Sequence, residues 1–281
     1  MRRMRTIVGW DGSEPADQAL RWAAERERRE GWSVHIVRVL DVLTSDAAAE
    51  VATARLELEQ AVWSLAEANP DVVVTAELAA GDPAVELARI ADRSALLVVG
   101  ASRVERTRRP TARRVPTALV GRSEGLTAVV PAHASDGRHG VVAVVRGRPG
   151  SAGTLTVAAT AASTLGEPMT LLRIRDPFES PDDVGIPTLE PELRTLGRDF
   201  PGLDVRFDPH WIRGPIGLLS HSDRATLLVL EGHRPTSAPP RFSLERWLAG
   251  RARAPFVVVA EPLVQDGHPQ VVEQQDLVPT G

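Results

Sequence analysis

The sequence of 281 residues contains no cysteine, no tyrosine and no lysine. The absence of cysteine excludes disulfides, thiolate catalysis and cysteine-ligated zinc or iron–sulfur sites. No apolar run approaches the roughly 20 residues that a membrane-spanning helix requires. Residues 1–15 carry positive charge but no long apolar core, so they are not typical of a secretory signal. From these absences we expect a cytoplasmic protein that does not interact with a membrane.

A strong charge of one sign is also absent. The formal net charge is −4, so no overall basic field indicates a nucleic-acid partner. Hydrophobic residues make up 43% of the chain and charged residues 25%, a balance that places it among ordinary globular proteins. Because lysine is absent, all 33 basic residues are arginine. Arginine binds carboxylates and phosphates in a bidentate manner that lysine cannot reproduce, which matters for any anion site in this chain.

What the sequence does contain is a two-copy repeat of about 135 residues per copy. Residues 5–40 and 140–175 both begin with an apolar strand, continue through a glycine-containing loop and a helix, and end in a second strand. Residues 81–100 are similar to residues 214–231, and each copy closes with another apolar strand. The repeat predicts a domain at 1–131, a linker at 132–139, a second domain at 140–262 and a C-terminal tail at 263–281.

Alternating strand and helix patterns predict the fold class. Continuously apolar segments such as 95–100 (ALLVVG) alternate with helical segments such as 82–93 (DPAVELARIADR). Strands of this kind are buried on both faces and occur in parallel sheets that are covered by helices. We therefore predict an α/β protein with two tandem doubly wound domains, each built on a five-stranded parallel sheet.

Three segments of the first copy resemble the universal stress protein family: IVGWDGSEPADQALRWAAERERREGWSVHIVRVL (7–40), GDPAVELARIADRSALLVVGASR (81–103) and VPTALVGRSEGLTAVVP (115–131). The second copy resembles the family less closely. The resemblance implies adenine nucleotide alpha hydrolase-like domains, each with a ligand cleft at the carboxyl ends of its strands. It also implies that the two copies pack together through their final strands. If two such chains associate, the expected assembly is a homodimer.

One branch of this family binds ATP through the motif G-x2-G-x9-G-[ST], together with an Asp after the first strand. The glycines let backbone N–H groups approach the phosphates, and the hydroxyl adds a hydrogen bond. In the first copy the resemblance places Asp11 at the family Asp and Gly100 at the first glycine. It places Arg103 at the second glycine, and Arg113 and Arg114 at the final pair. The standard ATP motif is therefore degraded in this copy.

Three interpretations of Arg103, Arg113 and Arg114 stay open. Their guanidinium groups are candidate donors to an anionic ligand, in place of backbone N–H groups. Alternatively they fill the cleft and pair with Asp11 or with glutamates, or the loop that carries them is solvated. A bulky side chain at a close-approach glycine blocks the usual phosphate geometry, so we expect a smaller anion or another phosphorylated metabolite rather than ATP in the standard pose. Asp11 is a candidate for ligand contact or for a local turn.

The second copy departs further from the motif. Arg146 stands at the family Asp, Glu231 at the first glycine and Arg234 at the second. Counting back from the final strand places Phe242 at the third glycine and Ser243 at the hydroxyl position, which makes Ser243 a candidate ligand contact. Because a carboxylate repels phosphate, we expect Glu231 to form a structural ion pair with Arg146 instead of contacting a ligand.

Motifs for other kinds of chemistry are lacking. Residues 121–125 (GRSEG) match G-x-S-x-G, but a strand follows where that motif needs a helix, so Ser123 is not expected to be a nucleophile. No pair of histidines has the HExxH spacing of zinc enzymes. We therefore predict no catalytic residue and no metal site. Trp22 and Trp63 fit helical patterns, which predict packing in the core or at an interface.

These observations predict a non-catalytic universal stress protein that acts as a stress-response ligand sensor or partner-binding regulator. No cofactor is required, although ATP or another phosphorylated ligand is a candidate for the first copy. The candidate partners are an anionic small molecule or an acidic protein, and not nucleic acid. Two alternatives stay open: a nucleotide-binding protein or slow ATP hydrolase that uses the arginines of the first copy, and a pure protein-interaction module.

Overall fold

Ten strands form one sheet in the computed structural model, which describes residues 5–31, 33–40, 47–91, 95–101, 115–120, 125–132, 137–146, 151–174, 189–207, 214–232 and 244–260. The strands are β1 (Arg5–Gly9), β2 (Ser33–Leu40), β3 (Val73–Ala80), β4 (Ala95–Ala101), β5 (Leu126–Pro131), β6 (Val141–Val145), β7 (Met169–Arg173), β8 (Val205–Phe207), β9 (Leu227–Glu231) and β10 (Phe256–Val259).

The order of the strands shows how the two copies are joined. It runs β3-β2-β1-β4-β5-β10-β9-β6-β7-β8, with parallel pairing inside the first half (residues 5–131) and inside the second half (residues 141–259). The central strands β5 and β10 pair antiparallel, with Phe256 opposite Val129 and Val259 opposite Leu126. The predicted α/β fold with a mostly parallel sheet is confirmed, and the expected packing through the final strands is observed. The exact division into two domains, a linker and a tail stays a prediction.

Helices cover both faces of this sheet. The described helices are α1 (Glu14–Glu30), α2 (Ala47–Ala68), α3 (Pro83–Ile90), α4 (Val115–Leu119), α5 (Ala152–Leu165), α6 (Glu190–Asp199), α7 (Gly214–Ser222) and α8 (Leu244–Leu248). One core cluster lies under α1, α2, α5 and α6, and the other lies under α3, α4, α7 and α8. Because both faces are covered, strands such as β5 are buried at every residue, which explains their continuously apolar sequences.

Side chains cap the first turns of α1 and α3. The Ser13 hydroxyl accepts a hydrogen bond from the backbone N–H of Ala16, and the Asp82 carboxylate accepts one from the N–H of Val85 at 3.0 Å. Helix α1 ends at Gly31, whose φ of 72° lies in the left-handed region that glycine adopts without strain. The two helix starts fix where the loops that follow the carboxyl ends of β1 and β3 end.

Trp22 and Trp63, both expected to pack, lie in different environments. Trp22 is partly buried and packs against the core cluster under α1. Trp63 is exposed on α2, so packing in the core is wrong for this residue.

Candidate functional site

Each half of the sheet has one point at which the strand order reverses. In the first half this point lies between β1 and β4, and in the second half it lies between β6 and β9. In open α/β sheets, ligands bind outside the carboxyl ends of the strands at such points. Asp11 follows β1 and Gly100 lies near the end of β4, whereas Arg146 follows β6 and Glu231 ends β9. The structure therefore brings the predicted residues together in two pairs, one in each half.

Asp11 forms a local turn. Its carboxylate oxygen Oδ1 accepts a hydrogen bond of 3.0 Å from the backbone N–H of Ser13, and the residue is exposed. Gly12 between them has a φ of 77°, which belongs to the left-handed region. This geometry accounts for an aspartate here without a ligand, because Asp side chains commonly bond to the backbone two residues on.

Gly100 is required by the packing of α1 against β4. A Cβ at this position would lie 2.1 Å from the carbonyl oxygen of Pro15 and 2.7 Å from the backbone nitrogen of Ala16. The first turn of α1 thus rests directly on the glycine, and a larger residue would force the helix away. The packing explains Gly100 independently of any phosphate.

Sequence reasoning missed a contact beside Asp11, between the side chains of Arg38 and Trp10. The guanidinium of Arg38, from β2, lies over the indole of Trp10 at 5.4 Å from its centroid, within the range of a cation–π contact. Its Nη1 also donates a hydrogen bond to the carboxylate of Glu57 on α2. The Trp10 indole N–H donates to Asp17 at 2.7 Å. The signal in the sequence is a charged residue, Arg38, within the strand SVHIVRVL.

Four of the predicted site residues lie outside the described residues. These are the three arginines of the first copy and the serine of the second: Arg103, Arg113, Arg114 and Ser243. Their proposed contacts with a ligand stay predictions.

In the second half, Glu231 turns its carboxylate inward. Its Oε2 accepts a hydrogen bond of 2.9 Å from the backbone N–H of Arg146 and another of 2.9 Å from the hydroxyl of Ser151, directly before α5. The residue is only 9% exposed. The negative charge lies near the N-terminus of α5, where the helix dipole stabilises an anion.

The predicted ion pair between the side chains of Arg146 and Glu231 is wrong. The two residues do bond, but through the backbone N–H of Arg146. The guanidinium of Arg146 instead binds the buried carboxylate of Glu245 on α8 at 3.0 Å. The reason is geometric, because the Glu231 carboxylate points towards the start of α5 while the Arg146 side chain extends towards α8.

Arg173 completes a set of charged groups at this end of the second half. This buried arginine, at the end of β7, donates from Nε to the backbone carbonyl of Arg146 at 3.3 Å. Two guanidinium groups and two carboxylates, those of Glu231 and Glu245, thus occupy the position of a ligand cleft. Sequence reasoning missed Ser151, Arg173 and Glu245, because their meeting depends on how α5 and α8 approach the sheet.

The described residues contain no other arrangement that indicates chemistry at these edges. Among them, no group of three histidine, aspartate or glutamate side chains is placed to hold a metal ion. Nor does any described helix combine the length and apolar character needed to cross a membrane. A cavity of about 240 Å³ lies between α1 and α5, lined by residues that include Trp22, Arg26 and Thr226. Thr226 precedes β9, so this cavity lies at the amino end of that strand, away from Glu231.

The sequence and the fold are similar to those of known universal stress proteins. The model of the universal stress protein family matches residues 3–131. A universal stress protein from Archaeoglobus fulgidus DSM 4304 superposes with a TM-score of 0.72 at 14% identity, covering 93% of this chain and 100% of that chain. No curated protein matches the sequence.

Two further solved structures share the fold over both halves. A putative universal stress protein from Pseudomonas aeruginosa UCBPP-PA14 has a TM-score of 0.52 at 10% identity, covering 92% of this chain and 93% of its own. The cytoplasmic domain of a prokaryotic cation chloride cotransporter has a TM-score of 0.51 at 11% identity, covering 92% and 96%. At these identities the likeness concerns the fold alone.

Proposed function

Because residues 3–131 belong to the universal stress protein family, we propose that the chain is a non-catalytic cytoplasmic regulator of this family. It senses a ligand or binds a partner during stress, and the family's standard ATP site is degraded in both halves. Ligand binding is confined to the first half.

The observation that carries this proposal is the inward-facing carboxylate of Glu231. It accepts hydrogen bonds from Arg146 and Ser151, the donors that a phosphate would need at this edge. A phosphate there would have to displace a carboxylate of the same sign, which already has hydrogen-bond partners. The second half therefore supports a structural role rather than a ligand site.

In the first half the corresponding position is uncharged. Gly100 offers no competing side chain, and Asp11 is exposed at the carboxyl end of β1. Arginines replace the remaining glycines of the ATP motif in the following segment, at Arg103, Arg113 and Arg114. Guanidinium groups bind phosphate or carboxylate through pairs of parallel hydrogen bonds, so an anionic small molecule is the ligand class that this half favours.

A second candidate function is nucleotide binding, with or without slow ATP hydrolysis. Asp11 keeps the family position, and the Arg38 cation lies over the buried ring of the neighbouring Trp10. In this alternative the arginines take over the task of the glycines. Bulky side chains at close-approach positions weigh against the usual phosphate geometry.

A third candidate is an interaction module whose arginines dock an acidic protein, within a homodimer or alone. The likeness in fold to the cytoplasmic domain of a cation chloride cotransporter supports the use of this fold within a larger assembly. This candidate predicts no small-molecule ligand.

Thermal-shift scans and equilibrium dialysis with ATP, AMP, cyclic AMP and inorganic phosphate separate the three functions. Under the main proposal an anion stabilises the wild type, the Arg113→Ala/Arg114→Ala variant loses that stabilisation, and no ATP is hydrolysed. The matched control is Arg194→Ala/Arg198→Ala, which removes the same charge from exposed positions on α6. ATP hydrolysis that depends on Arg113 and Arg114 would favour the second function, and no shift with any compound would leave the third.

A further inference from the structure

Helix α2 carries apolar side chains on two opposite sides. Ala54, Leu58 and Leu65 are buried against the core cluster on one side. Leu56 and Trp63 lie on the other side, where they are 68% and 65% exposed. At about 100° per residue, Leu56 and Leu65 point in opposite directions. The outward side chains therefore contribute nothing to the packing of α2 on the sheet.

The outward residues follow the spacing of a helix–helix seam. Seven residues separate Leu56 from Trp63, which places them two turns apart on one side of α2. Alternating steps of three and four connect them with their neighbours in a stripe that we call the outer face: Ala49, Ala52, Leu56, Glu59, Trp63 and Ala66. This is the a/d repeat of helices that pack along their length.

Exposure of the large side chains on this face is unusual. Tryptophan is highly buried on average, and exposed apolar side chains that cluster on one side mark contact surfaces. Tryptophan is also enriched among the residues that dominate the energetics of protein interfaces. The pair Leu56 and Trp63 thus has the composition of an anchor for another helix.

The charge of α2 indicates which kind of helix fits. The helix contains four glutamates and one arginine, Arg55. Glu59 lies within the outer face, and Glu67 lies one turn beyond Trp63. Two copies of α2 against each other would bring together two helices of the same negative sign, which disfavours self-association through this face. A basic partner would gain from the same charges.

We propose that the outer face of α2 docks an amphipathic helix of a partner protein. The partner helix has apolar residues at heptad spacing, which contact Leu56 and Trp63, and basic residues opposite Glu59 and Glu67. This interaction surface is separate from the ligand cleft of the proposed function, and it does not depend on the arginines at 103–114.

The test uses the full chain and two synthetic peptides of four heptads, each with leucine at the a and d positions. One peptide has arginine at the e and g positions, and the other has glutamate there. Fluorescence anisotropy of the labelled peptides measures binding. We expect the basic peptide to bind the wild type in the micromolar range, and the acidic peptide to bind at least tenfold more weakly.

Variants connect the binding to this face. Leu56→Gln/Trp63→Gln should weaken binding of the basic peptide at least tenfold while leaving thermal stability unchanged, because both side chains are exposed. Val85→Gln, an exposed valine on α3 (49%), is the matched control and should bind like the wild type. Glu59→Arg should reduce the preference for the basic peptide.

Three results would overturn the proposal. The first is no binding of the basic peptide at 100 µM protein, on the order of a hundredfold above the expected range. The second is equal affinity for the wild type and for Leu56→Gln/Trp63→Gln. The third is a concentration-dependent dimer of the chain that Trp63→Gln abolishes, because the occupant would then be a second copy.

Discussion

The backbone N–H of Arg146 and the carboxylate of Glu231 are joined by a hydrogen bond of 2.9 Å, across the point where the strand order reverses in the second half. The first-half equivalents of these residues are Asp11 and Gly100, and Gly100 carries no side chain and packs on the start of α1. The two halves thus use one backbone geometry for different local chemistry.

Replacing Glu231 separates its hydrogen bonds from its charge. Glu231→Ala should lower the free energy of unfolding by about 2–4 kcal/mol, because it leaves the Arg146 N–H and the Ser151 hydroxyl without their acceptor. Glu231→Gln should cost at most about 1 kcal/mol, since a single amide oxygen can accept both bonds that Oε2 now accepts. Urea denaturation measures both, with the exposed Glu190→Ala on α6 as control. A glutamine variant as unstable as the alanine variant would show that the charge, not the acceptor, matters.

Substitution of Gly100 tests whether this glycine serves packing or phosphate. Gly100→Ala should destabilise the chain by about 3 kcal/mol or more, because the new Cβ overlaps the backbone of Pro15. Gly197→Ala on α6 is the control. It has open space at its Cβ and should gain about 0.5–1 kcal/mol from helix propensity. Thermal denaturation compares the two. An unchanged melting temperature for Gly100→Ala would favour a role in phosphate approach alone.

A double-mutant cycle identifies the true partner of the Arg146 guanidinium. Arg146→Met combined with Glu245→Gln should give a coupling energy of about 1–3 kcal/mol, since these side chains form a largely buried ion pair. Arg146→Met combined with Glu231→Gln should couple more weakly, because Glu231 contacts the backbone N–H, which the substitution keeps. The measurement is the free energy of unfolding of the four variants in each cycle. A larger coupling energy for Arg146 with Glu231 than with Glu245 would support the ion pair expected from the sequence.

Asp11 can be assigned to its turn or to a ligand by comparing two substitutions. Asp11→Asn keeps the oxygen that accepts from Ser13 and should leave stability unchanged, whereas Asp11→Ala should cost about 0.5–1 kcal/mol. If the residue also contacts a nucleotide, both variants should weaken binding of ATP or AMP in equilibrium dialysis. If Asp11→Asn binds the nucleotide like the wild type, the role of Asp11 is limited to forming the turn.

The fold was accessible from the sequence because its signals are local. Apolar segments such as 95–100 predict strands, helical segments such as 82–93 predict helices, and the 135-residue repeat predicts two copies of the same unit. The pairing of final strands followed from the family resemblance. The two apolar sides of α2 are harder to separate from the sequence, since a helical pattern around Trp63 fits packing in the core as well as packing at an interface.

The candidate site was less accessible, because its contacts depend on distances between elements. The sequence predicts that Arg146 and Glu231 lie side by side. It does not predict which atoms of Arg146 contact the carboxylate. Glu245 comes from α8, about a hundred residues later in the chain, and its carboxylate reaches Arg146 only through the packing of that helix. Arg38 likewise meets Trp10 through the pairing of β2 with β1.

The antiparallel junction of β5 and β10 has a consequence for stoichiometry. Since it points the carboxyl ends of the two halves towards opposite edges of the sheet, the two clefts are independent in space. In a symmetric pair of identical single domains, a change at one cleft is a change at both. Joining two copies in one polypeptide removes that constraint, because a substitution then changes one half alone. Under the proposed function, in which the first half alone binds a ligand, a calorimetric titration of the full chain should saturate at one equivalent of ligand, where a pair of identical domains would take two.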